Sequence, residues 1–263
     1  MKISEFLGTI HQRDSLLFRS GLFTLIVGVL LLFPMAIDDR LIMGINPWIK
    51  PIKFCLSITI FVWTVAWLLE YFPKTLLWRK IISKTVFVTM LIEILIIIIQ
   101  AGRGTTSHYN FTTQLNGALF GIMGIMIALV TLAIMGLFFL FIFKKVNLDR
   151  VYLNAIRIGI AIFLLASYVG SIMISNEAHT VGVKDGGPGL PFVNWSTIGG
   201  DLRIAHFLGL HAIQIFPLFA YWMIKKTGIK MKERMVALLI FTILFLSVLA
   251  FIFFQAQEGK PLL

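Results

Sequence analysis

The chain has 263 residues, 59% of them hydrophobic and 13% charged, and a formal net charge of +11. A soluble globular domain carries about twice that charged fraction, and the apolar runs are too long and too numerous for a water-soluble core. With no folded basic domain to bear the positive charge, nucleic acid is excluded as a partner, and an all-α, polytopic transmembrane bundle remains.

A transmembrane helix needs about 20 mostly apolar residues. Seven stretches qualify, at about 18–37, 54–72, 82–101, 116–143, 153–175, 202–224 and 234–255. They make residues 1–263 a single integral membrane domain whose one long connection is the outer loop 176–201. No small-x-small cleavage site follows the first apolar stretch, so that stretch is expected to remain as a helix. Cys55 is the one cysteine; it has no partner for an internal disulfide and reads as a small core residue.

Charge placement supplies an orientation. Sixteen of the 23 Lys and Arg residues fall at ends that seven spans place on one side, among them Arg13, Lys74, Arg79, Lys80, Lys84, Lys144, Lys145 and Lys230. Arg40, Lys50, Lys53, Arg103, Lys184, Arg203 and Lys260 fall on the other. Cytoplasmic loops hold the excess of Lys and Arg. The N-terminus is therefore expected in the cytoplasm and the C-terminus outside, with the inner Lys and Arg as ordinary anchors and a bacterial inner (plasma) membrane as the location. Seven-helix receptors that couple to G proteins have the opposite orientation. A retinal Schiff base needs a lysine in the last span, and residues 234–255 contain none.

In chain order, the second span opens with NPWIKPIKF, where Pro47 and Pro51 suit a helix start and Lys50 reads as a snorkelling lysine. Trp63 and Trp67 lie deep enough to pack, whereas Trp48, Trp78, Trp195 and Trp222 sit near span ends as interfacial anchors. The third span continues as EILIIIIQAGRGTTSHYN. Glu93 and Gln100 share a face two turns apart, Glu93 roughly 10 Å deeper. A carboxylate there should be protonated or paired, with Arg103 or Arg203 as partner. His108 approaches only if the segment after Gly104 folds back over the bundle. Gly117, Gly121 and Gly124 in the fourth span form a small face suited to close helix approach, and Ser167, Ser171 and Ser175 in the fifth repeat at packing spacing.

The segment DGGPGLPFVNWSTIGGDL is turn-dense and expected to act as a lid or re-entrant plug over an outer cavity. Asn110 and Asn194 begin glycosylation sequons. The sixth span follows, with Asp201 capping its start and Pro217 kinking it. Arg203, His206, His211 and Gln214 share one face of roughly 140°, which should turn inward because lipid cannot hydrogen-bond it.

These residues concentrate in the outer half, and buried polar groups at membrane depth commonly mark substrate, ion or proton paths. The expected site is a histidine-containing cavity lined by Glu93, Gln100, Arg103, Arg203, His206, His211 and Gln214, with Asp185, Asn194 and Asp201 near its lid. The expected function is binding or transport of a small polar or anionic solute, with the buried carboxylate suggesting proton coupling. The rival readings are a haem- or metal-dependent membrane oxidoreductase, in which His108, His179, His206 and His211 are the candidate ligands, and a ligand sensor or assembly factor. No catalytic motif or internal repeat is present.

Overall fold

The computed structural model describes residues 3–226 and 228–262. In order these form α1 (Ile3–Arg13), α2 (Ser15–Leu30), α3 (Leu32–Ile37), α4 (Ile49–Leu69), α5 (Leu77–Gly102), α6 (Gln114–Phe143) and α7 (Arg150–Ser175). A two-stranded antiparallel pair follows, β1 (Thr180–Val181) with β2 (Gly200–Asp201), and then α8 (Leu202–Leu210), α9 (Ala212–Lys225) and α10 (Met231–Gln257). Among the described residues six spans are long and apolar enough to cross a membrane, or seven if α8 and α9, bent by 45°, count as one. The protein is a multi-pass integral membrane protein. Its contacts divide into two compact units, Met1–Leu137 and Phe138–Leu263, with the boundary inside α6.

Each expected span has a helix, with informative differences at the ends. α4 begins at Ile49 because Pro51 occupies its first turn, where a missing N–H is no loss. The first span breaks at Leu31, where Pro34 has no N–H to give the Leu30 carbonyl. The sixth span also breaks, but at His211 rather than at Pro217, which stays inside α9. Without a donor from Pro217 the Ile213 carbonyl is released. The backbone N–H groups of Gln214 and Ile215 both turn to the His211 carbonyl, each at 3.0 Å.

In the first unit, α2 crosses α4 where small residues permit it. Gly21 lies under the Trp63 indole, and a Cβ on Gly28 would stand 2.9 Å from the Cys55 Cβ. Thr24 and Thr59 share a hydrogen bond of 2.8 Å across the same crossing. Cys55 is buried and free, the packing role expected of it. Trp63 and Trp67 pack as well: the Trp63 indole N–H donates to the Phe18 carbonyl, and the Arg13 guanidinium lies 3.5 Å over the Trp67 ring. In the second unit, α7 meets α8 and α9 at Gly159, where a Cβ would be 2.6 Å from the Ala212 carbonyl oxygen, and at Gly209, 2.5 Å from the Ala166 Cβ. Phe216, Ala220, Leu238 and Leu249 extend that core.

Two packing expectations fail. A Cβ on Gly121 or Gly124 meets nothing within 4 Å, so their face is not a close helix contact among the described residues. Ser167 and Ser175 bond carbonyls of their own helix, Phe163 and Ser171. Gly159 and Ala166, on a different stripe of α7, make the approach instead. α10 leaves Leu239, Ile243, Phe251 and Phe254 exposed, an apolar face suited to acyl chains.

Adding one methyl at Gly159 therefore forces α7 from α9, whereas the same change at Gly121 enters open space. Gly159→Ala is expected to lower the stability of the detergent-purified protein by about 1–3 kcal/mol. Gly121→Ala should leave it unchanged or raise it slightly, with thermal unfolding followed by tryptophan fluorescence as the measurement.

Candidate functional site

The first unit holds a polar cluster at the C-terminal end of α5. Hydrocarbon offers no hydrogen-bond partner, so a buried amide must find one within the chain. Gln100, fully buried, donates from Nε2 to Asn116 Oδ1 at 3.1 Å. Arg103 donates from Nη1 to Gln100 Oε1 at 2.5 Å and to Asn116 Oδ1 at 2.9 Å. Asn110 ties the intervening turn by donating to the Thr105 hydroxyl and the Thr106 carbonyl. At 3% exposure Asn110 has no room for a glycan, so its sequon is not an acceptor in this fold.

The segment after Gly104 does fold back. It places His108 among Phe54, Tyr109 and Phe120, with ring centroids 6.0–6.1 Å away. Lys50 Nζ stands 3.2 Å from His108 Nδ1, and the Ser107 hydroxyl 3.1 Å from the same nitrogen. An ammonium only donates, so Nδ1 accepts. Lys50 is thus part of this polar cluster rather than a snorkelling lysine.

Beneath the cluster lies Glu93, 2% exposed on α5. Its Oε1 has no hydrogen-bond partner among the described residues, and it forms no ion pair there. Neither arginine expected to pair with it does so. Arg103 is bound to Gln100 and Asn116, and Arg203 is bound to Asp201. The cation whose field reaches Glu93 is Lys50.

In the second unit the expected site residues hold the loop 176–201 together. Asp201, 2% exposed, caps α8 through the Arg203 N–H and accepts the Ser196 N–H at 2.8 Å. The Arg203 guanidinium grips the same carboxylate through Nε at 2.9 Å and Nη2 at 2.6 Å, and Nη2 also donates to the Asn194 carbonyl. Asn194 itself has a left-handed φ of 56°. Arg203 is therefore half of a neutral pair, not the open cation expected at a cavity mouth.

Asp185 accepts the backbone N–H groups of His179 and Thr180, the Thr180 hydroxyl at 2.7 Å and the His179 ring at 2.6 Å. Burial pushes the Asp185 carboxyl up, but the hydrogen bond and charge of His179 outweigh it. Together with Thr180 they hold this carboxyl well below the usual carboxylate range. The loop is also pinned from outside, since Gly200 packs directly on the Ala256 backbone and Gly182 on Gly259.

The two sixth-span histidines differ in their surroundings. His206 lies against Gly170, and its Nδ1 donates to the Ala166 carbonyl at 2.7 Å. His211 sits at the α8–α9 break, its ring 4.4 Å from that of Phe207, and hydrogen-bonds the Gln214 side chain. No three His, Cys, Asp or Glu side chains among the described residues are grouped closely enough to hold a metal ion, so His108, His179, His206 and His211 do not form a joint ligand set.

Sequence reading missed Asn116, Ser107 and Arg40. Arg40 forks onto Asp38 and donates to the Gly102 carbonyl at the end of α5. The signal for Asn116 was its place just inside a span, where an amide needs a partner. No protein-family model matches the chain, and neither a curated protein nor a solved structure is significantly similar to it.

A carboxyl held low in the fold adds stability at neutral pH and loses it as pH falls below the ordinary carboxylate range, near about 4. Asp185→Asn should therefore speed trypsin cleavage after Lys184 by about fivefold at pH 7, equivalent to about 1 kcal/mol of local opening. Amide exchange at Thr180 should show a wild-type advantage at neutral pH that narrows in acid.

Proposed function

We propose that this protein binds or moves a small polar or anionic solute across the membrane with proton coupling, and that Glu93 is its working group. The observation that carries the reading is the buried Oε1 without a partner, on a membrane-crossing helix, under a cluster of Lys50, His108, Gln100, Arg103 and Asn116. An ionisable group inside a membrane helix is by default a functional candidate. A proton removes the charge from this carboxylate, and a donor group on a solute gives Oε1 the bond it lacks. Lys50 and Arg103 give the anion its attraction, and the folded-back segment 104–113 is the element that admits or excludes it. In this reading Asp185, Asn194, Asp201 and Arg203 are scaffold for the outer loop, and His211 with Gln214 stabilises the bend of the sixth span.

The proposed topology has seven spans, with α8 and α9 as one, the N-terminus cytoplasmic and the C-terminus outside. It is supported by the distribution of Lys and Arg. In a Cys55→Ser background, Lys260→Cys should react with a membrane-impermeant maleimide in intact cells, and Lys145→Cys only after permeabilisation. Labelling of both from the same side would remove the seventh span.

Proton coupling is tested in proteoliposomes loaded with pyranine under an imposed potassium diffusion potential. Wild-type protein should change the internal pH, and Glu93→Gln should slow that change by about 100-fold without altering the thermal unfolding midpoint. Silence of the wild type, or full activity of Glu93→Gln, overturns the reading.

One observation favours a second reading. His206 gives its Nδ1 proton to a carbonyl, so a neutral ring presents Nε2 as the lone-pair nitrogen, the arrangement typical of a haem or metal ligand. A Soret band or stoichiometric metal in purified protein, lost in His206→Ala, would make this a membrane oxidoreductase.

A further inference from the structure

A cleft of about 590 Å³ lies in the first unit, away from Glu93, between the α1–α2 junction and the start of α5. Its charged lining is Arg13, Lys74, Arg79, Lys80 and Lys84 against the single carboxylate Asp14. By sequence these are topology anchors; the fold gathers them around one cavity.

The two arginines form a fixed floor. Arg79, 5% exposed, donates to the carbonyls of Phe72 and Arg13 and to Glu70 at 3.0 Å. Arg13 donates to the Trp67 carbonyl at 3.1 Å while stacked on that ring. Carbonyls hold these guanidinium groups in place without cancelling their charge, and Glu70 is the one acid paired among them. Asp14 is engaged in capping α2 through the Leu17 N–H. Ser15 and Leu16 bring the α2 N-terminus, a positive dipole end, to the wall.

Three lining groups are left uncommitted. Lys80 and Lys84 are exposed, and neither has a hydrogen bond or ion pair among the described residues. Ser83 is 5% exposed, lines the cleft, and its hydroxyl has no partner there either. An open hydroxyl beside two unpaired ammonium groups suits an acceptor of negative charge. On the same turns of α5 Leu77, Trp78 and Ile81 are exposed, Trp78 by 56%, so apolar side chains flank the basic ones along the helix.

We propose that this cleft binds a phosphate group, with Lys80 and Lys84 pairing its oxygens, the Ser83 hydroxyl donating to it, and Arg13 and Arg79 supplying the field behind. Basic pockets between the ends of membrane helices suit anionic lipid headgroups. The exposed apolar side chains of Leu77, Trp78 and Ile81 on the same helix favour such a headgroup, whose acyl chains would lie along them, over a free phosphate from the aqueous phase.

The test uses full-length protein in a neutral detergent, titrated separately with phosphatidylglycerol, phosphatidylcholine and inorganic phosphate, with the unfolding midpoint and native mass spectra as readouts. Phosphatidylglycerol should raise the midpoint and stay bound in the spectrum, and Lys80→Gln with Lys84→Gln should weaken that binding by about tenfold or more. Ser83→Ala should weaken it less. Lys144→Gln with Lys145→Gln, an equal loss of charge outside the cleft, should leave it intact. A response to inorganic phosphate alone, lost in the same cleft variants, upholds the phosphate site and assigns it to a soluble anion. Equal weakening by both lysine pairs, or no preference for phosphatidylglycerol over phosphatidylcholine, overturns the proposal.

Discussion

Hydrocarbon cannot hydrogen-bond, and this constraint shapes nearly every polar contact in the protein. A buried amide or carboxylate without a partner carries a penalty of about 1–3 kcal/mol or more. Gln100 and Asn116 meet the constraint by bonding each other, and both, like Asn110, bond the turn that joins α5 to α6. Glu93 does not meet it. Its unbonded oxygen lies within reach of the Lys50 field, and the polar cluster above it is already closed on itself. A cluster so complete makes the exception informative: the chain had donors available and did not aim one at Glu93.

Two carboxylates of the second unit, Asp185 and Asp201, meet the same constraint differently. There the carboxylates sit where backbone N–H groups are free, at the start of α8 and in the turn after α7, and the loop folds around them. Asp201 and Asp185 each collect several donors, and Arg203 completes the set as a neutralised partner. The loop 176–201 is consequently a bonded structure rather than an open charged mouth. In the first unit, positive charge gathers around the cleft at the start of α5, where carbonyls, with Glu70 the one paired acid, position the arginines.

Helix approach is governed by where a Cβ is missing. Gly21 and Gly28 admit Trp63 and Cys55, and Gly159 and Gly209 bring backbones and methyl groups together. Gly121 and Gly124 have the right spacing on α6 and meet nothing. Periodicity tells which residues share a stripe, but a stripe contacts a neighbour only if the fold turns it that way. The serines of α7 show the same limit, since their hydroxyls are satisfied by the preceding turn of their own helix.

Long apolar runs determined by themselves that this chain crosses a membrane, and the spans emerged close to their true places because each helix satisfies its own backbone. Asp201 as a cap, the turn-dense loop before α8 and the burial of Glu93 were also legible, since each depends on residues close in sequence or on depth within a span. Pairings between distant residues were not. The bond between Arg203 and Asp201 displaced the expected role of Arg203, and His108 reached Lys50 across a gap of 58 residues. The basic cleft joined segments about 60 positions apart. Only the tertiary structure decided these, because side-chain partners depend on how helices rotate and cross, and hydrophobic periodicity leaves that choice to packing.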